Sequence, residues 1–165
     1  MKKNLFLLII VLGALISSCS HIDAFPPALV SYFPYSENQQ IIFANESGDT
    51  TTLTVSEFFV SEGGRCPFGQ KCLPPNELTV NMSNDSLMIF AIMEVIHQNL
   101  SIGLFIGELS YHETFTGDAY SPQMLEQLGD TIRFTNDGHE AIVVRYKGLV
   151  KFDDAQHDYV WNLVK

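Results

Sequence analysis

Five histidines and nineteen carboxylates are the residues of this chain with the most scope for chemistry. Three histidines precede an acid directly, in His112-Glu113, His139-Glu140 and His157-Asp158. Acid–base catalysis needs such groups to converge. On a strand, however, neighbouring side chains point to opposite faces, so none of these is a ready dyad, and an active histidine would need a partner from elsewhere in the fold. No G-x-S-x-G elbow, H-E-x-x-H pair or P-loop occurs. Gly63-Gly64 reads as a turn, and the acids are too dispersed for a calcium loop. The expectation is therefore no catalytic residue, no metal ligand and no cofactor. Asp118, Glu126, Asp130, Asp137, Asp153 and Asp154 fall in expected loops or a helix, where solvated charge collects and where binding residues also sit. Their aromatic neighbours Tyr111, Phe115 and Tyr120 would suit a carbohydrate platform.

The three cysteines divide unevenly. Lys2 and Lys3 precede an uncharged apolar run over residues 5–16, the n-region and h-region of a secretory signal. Twelve apolar residues fall short of the roughly 20 that span a bilayer. The Ile16-Ser17-Ser18-Cys19 end resembles a bacterial lipobox, which implies removal of residues 1–18 and acylation of Cys19, a stable multi-chain anchor. Ser20 rather than Asp follows, which by the same resemblance implies the outer membrane, with either side open for display. That leaves Cys66 and Cys72 in an oxidising compartment. Five residues with Pro and Gly lie between them and can turn the chain back for a disulfide, worth ~2–3 kcal/mol in loop entropy. A redox dithiol usually reads C-x-x-C, and zinc would need two further ligands.

Arg65-Cys66-Pro67-Phe68-Gly69-Gln70-Lys71-Cys72 resembles a Cys-Pro-x-Gly-x-x-Cys loop of many small uncharacterised lipoproteins of Bacteroidetes type. Those often continue into a Trp-Ala-Gly-like turn; here Leu73-Pro74-Pro75-Asn76 stands instead. Gly129-Asp130-Thr131-Ile132, the run over residues 146–152 and Trp161-Asn162-Leu163-Val164 are similar to the same group. The resemblance implies a lipid-anchored envelope protein and no particular activity. Asp49-Thr50-Thr51, Asp85-Ser86-Leu87 and Asp130-Thr131-Ile132 resemble the O-glycosylation acceptor pattern of exported Bacteroidetes proteins, making Thr50, Ser86 and Thr131 candidate acceptors.

The full chain of 165 residues carries a net charge of −10. Without residues 1–18 it is −12 over 147. An acidic chain without a basic patch is a poor nucleic-acid ligand. At 46% hydrophobic and 17% charged it is not a disordered tail.

The elements that must position these residues read mostly as short strands. Residues 40–45, 77–82, 99–106, 108–115, 131–135, 141–146, 149–152 and 159–164 alternate between turn residues. In residues 51–60 the alternation puts Leu53, Val55, Glu57 and Phe59 on one face and Phe58 and Val60 on the other. Residues 86–97 are apolar on both faces. They suit a central strand covered on both sides; a short buried helix, or a face with Met88, Phe90 and Ile92 lining an apolar cavity or partner surface, are the alternatives. Ser121-Pro122 to Gly129 carries helix start and stop signals. Asn136-Asp137-Gly138 is a hairpin turn. Trp161, with Tyr159 and Phe152, belongs in the core.

The sequence thus predicts a signal peptide (1–18), a Pro-containing tether (19–34) and one all-β domain (35–165). That domain is an antiparallel sandwich or barrel-like body of about nine strands with one short helix. The expected role is an outer-membrane lipoprotein acting as a non-catalytic cell-envelope binding or accessory module. Its partners would be the membrane through the anchor and an envelope protein or glycan, and not nucleic acid. Carbohydrate or apolar small-molecule binding is the alternative, and an enzyme the third.

Overall fold

In a computed structural model the described residues are 21–62, 64–65, 76–96 and 99–164. The expected signal peptide, the acylated Cys19 and the Cys66–Cys72 pair lie outside them. Two-residue strands β1 (His21–Ile22) and β4 (Gly64–Arg65) pair with each other. The body is one ten-stranded antiparallel sheet. Its first run is β2 (Gln40–Ala44), β3 (Thr50–Val60), β5 (Asn76–Ser83), β6 (Met88–Ile96), β7 (Asn99–Ile106) and β8 (Leu109–Thr116). Its second is β9 (Thr131–Asn136), β10 (His139–Val144), β11 (Gly148–Asp154) and β12 (Tyr159–Leu163). Each strand pairs with its predecessor within a run. β12 then pairs with β2, with Leu163 opposite Phe43, which joins the two runs.

The sheet curls into a nearly closed barrel whose seam runs between β8 and β9. There the Asn136 side-chain amide donates to the Ser110 carbonyl at 2.9 Å, and the Tyr111 and Phe134 rings meet at 6.2 Å. Closure disposes of most of the edge that an open sheet would expose. No helix among the described residues is long and apolar enough to cross a membrane.

Inward residues form the core. Leu53 and Val55, Leu78, Val80 and Met82, and Ile89, Ala91 and Met93 are fully buried on successive strands. Phe43 meets Phe152 edge-on at 5.0 Å. Within the stretch 86–97, Met88–Ile96 form a strand, but only one side of it is covered. The outer residues Phe90 and Ile92 are half-buried and Met88 is 58% exposed.

The alternation of β3 breaks midway. Val55 pairs with Met82 and Glu57 with Asn81, so Ser56 is an extra residue in the ladder. A bulge of one residue switches the face of everything after it. Phe58 and Val60, not Phe59, therefore pack on the core, and Phe59 is exposed. This corrects the face assigned from a strict period of two.

The second correction concerns the stretch expected as a tether. From Phe25 onward it is part of the domain. A one-turn helix α1 (Pro27–Val30) leads into Phe33 and Tyr35, and Phe25, Leu29, Tyr32, Phe33 and Tyr35 are all buried. The segment enters beside β3, where the Phe25 N–H donates to the Ser61 carbonyl at 3.0 Å. It leaves beside the β10–β11 turn, where the Tyr146 N–H donates to the Ser31 carbonyl at 2.6 Å. It closes one end of the barrel as a plug. A second helix, α2 (Pro122–Leu128), lies at this same end. The Ser121 hydroxyl caps it by accepting from the Met124 N–H, and Gly129 at φ 66° stops it. The Tyr32 hydroxyl donates to the Gly129 carbonyl, tying plug to helix.

Burial holds the phenols of Tyr32, Tyr35 and Tyr111 above their ordinary ionisation range. Tyr111 is pushed up to about 12, chiefly by burial and further by the Asp153 carboxylate. A raised pKa gives stability that is full below the unfolded value, near 10, and is lost as pH rises toward the folded one. Stability should therefore be flat to about pH 10 and then fall by up to ~1.4 kcal/mol per pH unit for each buried phenol. Urea unfolding at stepped alkaline pH measures this. Tyr111→Phe should flatten the fall at little cost near neutrality, because the Tyr111 hydroxyl is buried without a partner. An unchanged alkaline slope in that variant would show that Tyr111 does not carry the effect.

Candidate functional site

The end of the barrel opposite the plug is open and is built from turns that fix their own shape. Between β5 and β6, the Asn84 carbonyl oxygen Oδ1 accepts from the N–H groups of Ser86 and Leu87 at 2.9 and 2.8 Å. The Asn84 amide donates to Thr51 Oγ1 at 2.8 Å, which ties this turn to β3. Between β11 and β12, Asp154 Oδ1 accepts from the Gln156 N–H at 3.1 Å and Oδ2 lies 2.8 Å from His157 Nδ1. Between β2 and β3, Asn45 Oδ1 accepts from the Asp49 N–H at 2.9 Å. Short polar side chains that bond their own backbone make such turns rigid.

Two adjoining pockets open among these turns. One, of about 210 Å³, has Thr50, Ser86, Asp154 and His157 among its walls, with Leu87 and Trp161 supplying apolar surface. The other, of about 260 Å³, lies against Asn45, Glu46, Ser47 and Asp158. Tyr159 belongs to both. Its ring lies nearly parallel to that of His157, 15° apart at 6.3 Å, and meets Trp161 edge-on at 5.6 Å. Tyr159 is 41% exposed and Trp161 7%. The Trp161 indole N–H is buried with no acceptor among the described residues.

Asp154 is one of two buried polar or charged residues among those described, and its contact with His157 accounts for it. A neighbouring imidazole and a backbone N–H satisfy a carboxylate taken out of water. The contact holds the histidine ring through Nδ1, and His157 lines the pocket. Among the described residues no hydrogen bond joins His157 to the hydroxyl of Ser86 or Thr50, so the pocket holds no assembled nucleophile and base. No group of three or more metal-ligating side chains occurs among the described residues either.

Residues singled out from the sequence are mostly placed elsewhere. Met88, Phe90 and Ile92 share a face, as expected, but it is the outer face of β6, and they line neither pocket. Tyr111 is buried in the barrel and Phe115 is half-buried on the same strand. Tyr120 is exposed at the plugged end, accepting a hydrogen bond from the Asn76 amide at 2.5 Å beside a pocket of about 190 Å³ between the plug and α2. Tyr111, Phe115 and Tyr120 therefore form no common platform, because the strand direction sends two inward and the helix loop holds the third outside. Thr50, Ser86 and Thr131 are all exposed, and the first two line the open-end pocket. His112 faces out beside Thr114, and His139 lies 3.9 Å from Asp153. Adjacency of a histidine to an acid does not mark the Asp154–His157 pair, whose members stand three residues apart. The Asp-x-x-His spacing across a tight turn is the signal that marks it.

No protein family, curated protein or solved structure matches this chain. The fold defines the class: an all-β protein, a nearly closed ten-stranded up-and-down barrel plugged at one end by the segment that precedes its first strand.

Proposed function

We propose that the protein is an outer-membrane lipoprotein, acylated at Cys19, whose barrel is a non-catalytic binding module of the cell envelope. The observation that carries this reading is the polarity of the barrel. The chain enters at the plugged end, with His21 only two residues after Cys19, while the two pockets lie at the opposite end. Strands of eight residues separate the ends by roughly 25 Å. An anchor at Cys19 thus presents the pockets away from the lipid surface. The acidic body supports the same arrangement, since it is repelled by anionic headgroups.

The packed interior favours recognition at the open end over carriage of an apolar ligand inside. Inward side chains from all ten strands and five from the plug leave the core to the protein itself. Cys19→Ala should move the protein from the membrane pellet to the soluble fraction and abolish labelling by a fatty-acid probe. Retention in the pellet with unchanged labelling would refute the anchor.

A further inference from the structure

We infer that the open end binds a neutral oligosaccharide of at least two sugar rings, laid across Tyr159 with one ring in each pocket. This rests on the binding-module reading and names its ligand. Three observations carry it.

The first is charge. Among the described residues no Lys or Arg lines either pocket, so neither offers the fixed cation that a phosphate or carboxylate ligand calls for. Asp154 is already matched by His157 and the Gln156 N–H, so the first pocket holds no unanswered anion calling for a metal or an ammonium group. In the second pocket the Glu46 and Asp158 carboxylates are exposed to water, so neither pocket requires a charged ligand and a neutral one suits both.

The second is the kind of surface. A sugar ring presents apolar C–H faces and a rim of hydroxyls that both donate and accept. The first pocket offers both halves of that match. Tyr159, Trp161 and Leu87 supply apolar contact. The Thr50 and Ser86 hydroxyls, the Asp154 carboxylate and the His157 ring line the same space, and carboxylates accept strongly from hydroxyls. The second pocket adds the Glu46 and Asp158 carboxylates and the Ser47 hydroxyl. Neither pocket is apolar enough for an acyl chain.

The third is size and continuity. At about 210 and 260 Å³ each pocket is below the range usual for a drug-sized ligand and suits one ring. The one lining residue they share is Tyr159, which is exposed. A ligand that fills both must pass over it, so a chain of linked rings gains where a monosaccharide does not.

Trp161 is the only tryptophan and lines the first pocket, so its emission reports binding without a label. The full acylated chain in detergent is titrated with neutral tetrasaccharides of glucose, mannose, galactose and N-acetylglucosamine, and with each monosaccharide. The expected result is a saturable change in emission with at least one tetrasaccharide, at an affinity at least about tenfold above its monosaccharide. Tyr159→Ala should weaken it by at least about tenfold and Tyr159→Phe by much less. Ser86→Ala, at an exposed hydroxyl, should weaken it with an unfolding midpoint unchanged, which covers the case of a poorly folded Tyr159→Ala. No saturable change up to about 10 mM with any of the sugars overturns the inference. So does binding indifferent to both Tyr159→Ala and Ser86→Ala. If all the sugars fail while the acylated barrel retains a defined protein partner, only the glycan assignment falls. If the barrel retains neither sugar nor protein, the binding-module reading falls with it.

Discussion

Gly148→Ala should cost about 4 kcal/mol or more of folding stability, because two demands meet at this position. The first is conformational. Gly148 opens β11 at φ +80°, in the left-handed region, and a side chain there costs about 1–3 kcal/mol. The second is steric. A Cβ on Gly148 would fall within the Tyr35 phenol, overlapping its hydroxyl and ring. That phenol cannot move away freely. It is buried inside the plug, and its hydroxyl accepts the Leu149 N–H at 2.6 Å. Displacing it opens a void of the kind that costs about 3–5 kcal/mol when an aromatic is truncated, and it strands the Leu149 donor. Urea unfolding of the two single variants and the double variant separates these contributions. Tyr35→Ala removes the ring that Gly148→Ala strikes, so the double variant should lose clearly less than the sum of the singles. Strict additivity would mean that the two residues do not share the space. A Gly148→Ala protein within roughly 1 kcal/mol of wild type would refute the close approach altogether.

What the sequence disclosed, and what it hid, follows the range of the interactions concerned. The Asn136-Asp137-Gly138 turn and the cap and stop of α2 were legible because each is decided within four residues. Asp137 and Gly138 take φ 48° and 87°, as a two-residue hairpin demands, and Ser121 caps as expected. The all-β class was legible from alternation repeated over nine segments. The bulge at Ser56 was not, because an extra residue leaves no mark on composition and only the partner strand reveals it. Barrel closure was likewise hidden. Leu163 opposite Phe43 joins residues from the two ends of the domain, and no local pattern predicts that pairing. In the candidate site, Tyr159 and Trp161 were visible as aromatics and read as core, which holds for Trp161 and not for Tyr159. The Asp154–His157 contact depends on a turn whose shape Asp154 itself sets. Pro26, Pro27 and Pro34 drew the stretch around them into a linker reading, although Phe25, Leu29, Tyr32 and Phe33 are too apolar for a solvated tether.

That last point has the largest consequence for stability. A chain beginning at Ser36 should not fold to a cooperative native state. Five side chains would be lost from the core, four of them aromatic and all of them at 7% exposure or less. Burial of such side chains is worth about 1.5–3 kcal/mol each, so their removal forfeits roughly 10 kcal/mol. A domain of this size has only about 5–15 kcal/mol in total. The truncation also uncovers inward residues at the plugged end and strands the Leu149 N–H, which Tyr35 satisfies in the intact chain. A tether would behave differently, since cutting a solvated linker leaves the unfolding midpoint where it was. The experiment is a pair of chains expressed without the acyl anchor, one beginning at Asp23 and one at Ser36, compared by urea unfolding and by binding of a hydrophobic dye. The longer chain should unfold in one sharp transition with no dye bound. The shorter should bind dye without denaturant and lose structure gradually, because a barrel that has lost its plug cannot exclude water from Phe43, Phe152 and the layer around them. Equal midpoints for the two chains would return the stretch up to residue 34 to the role of a linker. Phe33→Ala in the longer chain gives the graded version, an expected loss of about 3–5 kcal/mol with the fold retained.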